Sequence, residues 1–285
     1  MKKILITGTN SYVGTSLVKW LKNNPDKYFV DTISLRHASW KEKDISNYDV
    51  ILHVAGIAHV SSDPNMEESY YKVNRDLTIE VAEKAKKDGV KQFIFMSSII
   101  VYGDSSCQKR VIDNNTVPTP SSFYGNSKLQ AEQGIRRLVS SKFKVVIIRP
   151  PMIYGKGSKG NYPKLSNAAR TLPIFPDIDN RRSMLHIDNL CEFIRIMIDH
   201  EENGVFFPQN NEYVKTSEMV KLIADVHGKR IKLTKLFNPL IKLLGIKSGL
   251  INKVFGNLYY DMTMSEYKQN YRVRDLKESI VLTEK

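Results

Sequence analysis

Lys2-Lys3-Ile4-Leu5-Ile6-Thr7-Gly8-Thr9-Asn10-Ser11-Tyr12-Val13-Gly14 opens the chain. Its apolar run predicts a short buried strand that breaks at Gly8, and Gly14 precedes a helical pattern from Thr15 to Lys22. A strand, a loop and a helix N-terminus in that order can present backbone amides to a pyrophosphate, with Gly8 making the tight turn and Gly14 letting the helix pack closely. Ser11 stands where a second glycine would allow the freest approach. A glycine turn that merely joins a strand to a helix also fits these residues.

The same rhythm continues outward. Phe29 to Leu35 reads as a second strand, Tyr48 to Gly56 as a third, Met66 to Lys87 as a helix and Lys91 to Ser98 as a strand. A helix from Tyr124 to Ser141 and a strand from Phe143 to Pro150 follow. Strands alternating with helices predict an α/β fold with a parallel sheet covered on both faces, whose ligands bind beyond the carboxyl ends of the strands. Gly8, Gly56, Ser98 and Pro150 all fall at such ends.

Tyr124-Gly-Asn-Ser-Lys128 places a phenol and an ammonium one helical turn apart on the same face. The expected effect of the ammonium is to favour the phenolate and lower the tyrosine pKa, which suits acid/base work at an alcohol or ketone. Tyr-x-x-x-Lys also occurs on ordinary solvated helix faces.

Thr7-Gly8…Gly14, His53-Val54-Ala55-Gly56, Ser97-Ser98-Ile99-Ile100-Val101-Tyr102-Gly103, Tyr124…Lys128, Arg149-Pro150-Pro151 and Arg182 to Leu190 (RSMLHIDNL) occur in this order over nearly the whole chain. Together they resemble the extended short-chain dehydrogenase/reductases that act on nucleotide-diphosphate sugars. The resemblance implies a Rossmann-type doubly wound sheet with a smaller C-terminal α/β substrate lobe. It implies a catalytic trio of Ser98, Tyr124 and Lys128, in which Tyr124 exchanges a proton with a sugar oxygen, Ser98 hydrogen-bonds that oxygen and Lys128 also holds the cofactor ribose.

Carried over by position, the cofactor would meet Gly8, Asn10, Ser11, Tyr12, Val13 and Gly14. Asp44 and Ile45 would lie beside its adenine, and Val54, Ala55, Gly56 and Pro151 would line the rest. Asn74 matches an asparagine that ties the cofactor-side helix to the catalytic loop, though a helix-internal hydrogen bond also fits it. Arg182 matches an arginine that binds the substrate diphosphate, a task its planar donor fork suits. Asn161, in Lys159-Gly160-Asn161-Tyr162, matches a loop contacting the nucleotide sugar, or is an ordinary turn residue.

The strand ending Ser34-Leu35-Arg36-His37 offers no acid to the ribose hydroxyls, and Arg36 would welcome the extra phosphate of NADP, unless it is a plain surface charge. NADP(H) is therefore the expected cofactor, with NAD(H) the alternative. Net reductases of this superfamily often favour NADPH, whereas its 4-epimerases retain NAD. The nearest likeness is to capsule and O-antigen enzymes that reduce UDP-4-keto-6-deoxy-N-acetylhexosamines, with a UDP-sugar 4-epimerase as the alternative.

With 285 residues, 41% of them hydrophobic and 26% charged, the chain can bury a sizeable core. The expected domains are 1–150 with about 184–200, and a substrate lobe from 151–183 and 201–285. Cys107 and Cys191 have neither metal nor disulfide spacing, so no metal is expected and a reducing cytoplasm fits. Met1 feeds straight into the first strand, with no leader and no apolar run of bilayer length. The net charge is +13. Much of the excess lies between Lys215 and Lys253, where Phe237 to Lys247 mixes lysines with bulky apolar residues. Membrane contact is one reading, but apolar residues at this spacing are expected to pack on their own domain. A non-catalytic dinucleotide sensor, or even an RNA binder, would not need Ser98, Tyr124 and Lys128 together. No nucleic-acid partner is therefore expected, and a homodimer is left open.

Overall fold

The computed structural model of the chain describes residues 1–58, 63–106, 111–245 and 249–285; Cys107, Ile246 and Lys247 lie outside them. Contacts divide the chain into two units. One comprises Met1–Gly103, Pro118–Pro150 and Leu190–Phe207, the other Asp104–Val117, Pro151–Asn189 and Pro208–Lys285.

The first unit is built on six parallel strands: β1 (Lys2–Thr7), β2 (Tyr28–Ile33), β3 (Val50–His53), β4 (Gln92–Met96), β6 (Lys144–Ile148) and β10 (Gly204–Phe206). Their order in the sheet is β2-β1-β3-β4-β6-β10. Leu5, Ile51, Phe93, Phe95, Val145 and Ile147 bury one face against α3 (Leu77–Lys87) and α4 (Phe123–Arg136), through Val81, Ala82, Ala85, Ala131 and Ile135. The alternating residues Ile4, Ile6, Leu52, Ile94, Val146 and Ile148 are also fully buried. Burial on both faces explains why these strands read as unbroken apolar runs. The expected α/β fold with a parallel sheet is what forms.

Strand order reverses at β1, which pairs with β2 on one side and β3 on the other, so Thr7 is level with both Ile33 and His53. Such a reversal opens a crevice at the carboxyl ends. The His53 ring beneath it meets the Thr7 hydroxyl at 2.9 Å and the Thr78 hydroxyl at 3.1 Å. Burial, reinforced by the Lys128 charge, pulls its pKa down to about 3, so the imidazole is neutral.

Two predicted helices come out differently. Met66 to Lys87 is not continuous, because α2 (Glu67–Tyr70) passes into a π-helical turn over Tyr71–Asp76 before α3 begins. α4 stops at Arg136, short of Ser141, where Ser140 and Phe143 exchange backbone hydrogen bonds and return the chain towards β6.

The second unit holds three parallel strand pairs: β5 (Val111–Ile112) with β12 (Tyr259–Tyr260), β7 (Met152–Tyr154) with β9 (Met184–His186), and β8 (Ile174–Pro176) with β11 (Lys232–Thr234). The β5 pairing draws 104–117 into this unit. Helices α5 (Tyr162–Thr171), α7 (Thr216–Val226) and α10 (Leu276–Glu284) enclose a core that includes Tyr154, Leu165, Phe175, Val220, Ile223 and Ile280. α6 (Ile187–Asp199) carries the chain onward from β9.

α8 (Asn238–Gly245) and α9 (Gly249–Phe255) follow β11. The expectation that the apolar residues of Phe237 to Lys247 pack inward is not met at Phe237, Leu240 and Leu243, although flanking residues do pack. Leu233, Val254 and Phe255 join the core, but Leu236, Phe237, Leu240 and Leu243 are 79%, 43%, 56% and 67% exposed.

Candidate active site

The loop after β1 is shaped by contacts that a side chain would obstruct. Gly8 has φ +86°, and a Cβ there would lie 3.1 Å from the Ala55 backbone nitrogen. A Cβ on Gly14 would lie 2.5 Å from Ser11 Oγ and 3.1 Å from Ile6 Cγ2, so α1 (Tyr12–Leu21) packs directly on β1. Ser11 is more than a tolerated substitute for glycine. Its Oγ accepts from the Gly14 amide at 3.1 Å and caps α1. A cradle of small residues closed by a helix N-terminus fits a dinucleotide pyrophosphate.

Beyond β2, Arg36 is exposed, and its backbone amide donates to Ser34 Oγ. Asp31, the acid within the strand, accepts from the Tyr48 hydroxyl at 2.6 Å. Asp44 is exposed, and hydrogen bonds from Ser46 hold its carboxyl below the usual range. The Ile45 side chain is taken by the core beside Leu5 and Trp40, which leaves its backbone and Asp44 for a ligand.

Ser98 follows β4, while Tyr124 and Lys128 rise from the first turns of α4. Ser98 has two jobs. Its Oγ accepts from Ile100 N at 3.3 Å, capping the short helix Ile99–Tyr102, and its hydroxyl is near enough to the Tyr124 phenol to favour the ionised form. Lys128 Nζ donates to the Met96 carbonyl at 2.9 Å and sits 4.7 Å above the Phe95 ring. A Cβ on Gly56 would be 3.4 Å from that ammonium and 3.0 Å from Asn74 Oδ1, so the loop after β3 joins the group. Asn74 is buried in the π-helical turn. It accepts from Ile57 N at 2.8 Å, donates to Ile57 O at 3.0 Å and reaches Ser127 Oγ on α4 at 3.4 Å.

The expected lowering of the tyrosine pKa is not what forms. Burial pushes the Tyr124 phenol up to about 12, helped by the nearby Tyr70, and the Ser98 hydroxyl only partly opposes this. Tyr70 meets Tyr124 edge-on, with ring centroids 5.7 Å apart. Burial also brings Lys128 down to about 8, against the charge of Glu132, which raises it.

Glu132 belongs to a buried network missing from the sequence-based set. Arg149 Nη2 is 2.5 Å from Glu132 Oε2, its Nε also donates to that carboxylate, and its Nη1 donates to the Tyr102 hydroxyl at 2.7 Å. Ser97 Oγ donates to Glu132 Oε1. The network therefore ties the segment on either side of Ser98 to the helix carrying Tyr124 and Lys128. A signal was present, since Tyr124, Lys128 and Glu132 recur every four residues along one helix face.

In the second unit, Asn161, Lys164, Arg182, Thr216 and Lys253 line a cleft of about 420 Å³, counting space open to solvent. Asn161 is exposed and stands immediately before α5, its side chain making no cap. Arg182 Nη1 donates to the carbonyls of Lys253 at 2.9 Å and Gly256 at 3.2 Å, and burial brings its pKa down to about 10. Pro151 is buried and also belongs to this unit.

A glycine-cradled helix N-terminus and a serine and a buried tyrosine grouped with a buried lysine, all on one parallel sheet, define a dinucleotide-dependent oxidoreductase class. Residues 4–208 match the model of the NAD dependent epimerase/dehydratase family, and the chain belongs to that family. It is 35% identical to a UDP-glucose 4-epimerase of Vibrio cholerae, over 92% of this chain and 88% of the relative. It is 28% identical to an N-acetyl-alpha-D-glucosaminyl-diphospho-ditrans,octacis-undecaprenol 4-epimerase of Escherichia coli O157:H7, over 90% and 82%. Its fold matches RMD from Pseudomonas aeruginosa, solved with NADPH, at TM-score 0.77 and 18% identity over 99% and 98% of the two chains. The chain is thus an NAD(P)-dependent sugar oxidoreductase or epimerase. Among the described residues, no helix is long and apolar enough to cross a membrane.

Proposed function

We propose that this chain reduces C4 of a UDP-4-keto-6-deoxy-N-acetylhexosamine during synthesis of bacterial surface polysaccharide precursors, with NADPH as reductant. The observation that carries this reading is the buried Tyr124 phenol near Ser98 at the carboxyl edge of the sheet, with Lys128 one turn away. Bound NADPH supplies the hydride. Tyr124 Oη gives the proton to the C4 oxygen, and Ser98 Oγ donates a hydrogen bond to that oxygen as charge develops. A phenol pushed up to about 12 stays protonated at neutral pH, which is the form that ketone reduction consumes. Gly8, Ser11 and Gly14 hold the pyrophosphate, and Lys128 holds the ribose.

Arg36 favours the 2′-phosphate of NADPH, as Asp31 is already engaged by Tyr48. Arg182, with Lys164 and Lys253 around the same cleft, takes the substrate diphosphate. The second reading is UDP-sugar 4-epimerisation with NAD, favoured by the Vibrio cholerae relative. One pair of assays separates the two. With UDP-4-keto-6-deoxy-N-acetylglucosamine, a reductase consumes NADPH in proportion to product. Interconversion of UDP-glucose and UDP-galactose, or of their N-acetyl forms, without NADPH consumption would overturn the reductase reading and install the epimerase.

A further inference from the structure

We infer that α8 and the segment leading into it form a docking surface for an anionic lipid bilayer. From Val226 to Tyr260 the sequence carries seven cations (Lys229, Arg230, Lys232, Lys235, Lys242, Lys247 and Lys253) and no carboxylate. Leu240 and Leu243 lie three residues apart on α8, Leu236 and Phe237 stand in the turn that leads into it, and the three leucines are all more than half exposed. Ile174, paired in register with Lys232, is also 45% exposed. Asp177, whose carbonyl accepts from Asn238 Nδ2 at 2.9 Å, has its carboxylate engaged by Lys215 at 2.7 Å. The local field is therefore positive.

An apolar stripe with the exposed Lys232 and Lys235 just before it in the chain matches both layers of a bilayer surface. Leucines reach the acyl boundary while lysines remain among anionic headgroups, each adding to the attraction. The α8 helix has eight residues and is too short to span, so it would lie in the interface. This charge complementarity selects anionic lipid over a second copy of the chain, which would set like charges against each other.

The test is co-sedimentation of the full chain with phosphatidylglycerol–phosphatidylcholine vesicles and with pure phosphatidylcholine vesicles, alongside thermal unfolding of every variant. Binding should occur on the anionic vesicles and weaken with salt. Lys232→Gln with Lys235→Gln should reduce it by about tenfold or more. Leu236→Glu with Leu240→Glu and Leu243→Glu should reduce it by about a hundredfold or more, with unchanged unfolding temperature, because these side chains already face water. Equal binding to neutral vesicles, no binding at all, or full retention by the leucine variant would each overturn the inference. So would a leucine variant that converts a dimer to monomers while the parent ignores vesicles, which would assign the face to a second copy.

Discussion

Lys128 in the first unit and Arg182 in the second are both cations drawn away from water, and both donate to backbone carbonyls. They differ in what balances the charge. Lys128 has Glu132 one turn along its helix, and that carboxylate belongs to a closed network with Arg149, Ser97 and Tyr102. Arg182 has only neutral carbonyls as partners among the described residues, and two lysines share its cleft. A charge balanced by its own protein can serve as a fixed tool, whereas one left to neutral dipoles is tuned for an anion that arrives from outside.

The largest expected effect tests the tool side of that contrast. Tyr124→Phe should lower kcat by at least ~10²-fold with cofactor affinity nearly intact, read by steady-state kinetics and NADPH titration. Near-normal turnover in a folded variant would remove Tyr124 from the chemistry.

Next comes the internal balance. Glu132→Gln leaves Arg149 buried beside a neutral amide and should destabilise the protein by about 3–5 kcal/mol in urea unfolding. Pairing it with Arg149→Met should recover much of that loss. If the single variant is as stable as the parent, the network is not what holds the Ser98 segment to α4.

On the receptive side, Arg182→Ala should raise KM for the nucleotide sugar by about tenfold or more with little change in kcat, and Arg182→Lys should restore only part of it. An unchanged KM in both variants would make the arginine structural.

A smaller effect concerns pH. The folded-state pKa of Lys128 is lowered from 10.5 to about 8, so burial of its ammonium opposes folding in full below about pH 8. That penalty is relieved between about pH 8 and 10.5, by at most about 1.4 kcal/mol per pH unit. Compared with Lys128→Met, the parent should therefore gain relative stability across this window. A parallel pair of stability curves would contradict the assigned burial. The smallest effect is on cofactor choice, where Arg36→Ala should weaken NADPH binding several-fold more than NADH binding.

Ser98 entered through the family resemblance, whereas the strand–helix alternation and the Tyr124–Lys128 spacing were legible because each rests on local pattern: apolar runs, a glycine turn and four-residue spacing. The direction of the Tyr124 shift was not, since it depends on how much protein surrounds the hydroxyl rather than on the nearest charge in sequence. The Glu132–Arg149 pair escaped because two elements must pack before the partners meet. Exposure of Leu236, Leu240 and Leu243 escaped for the opposite reason, as periodicity defines a face without saying whether anything covers it.

The π-helical turn at Tyr71–Asp76 makes residue count itself a geometric variable. Each α-helical residue advances the chain by about 100° of rotation, and a π turn accommodates one extra residue, so the turn acts as a phase shifter between α2 and α3. On one side of it Tyr70 meets the Tyr124 ring; on the other, Val81, Ala82 and Ala85 remain on the sheet. Removing Lys72 would restore an ordinary helix and turn Tyr70 away from the phenol, or else rotate α3 off the sheet. At this point the chain should tolerate a change of side chain far better than a change of length.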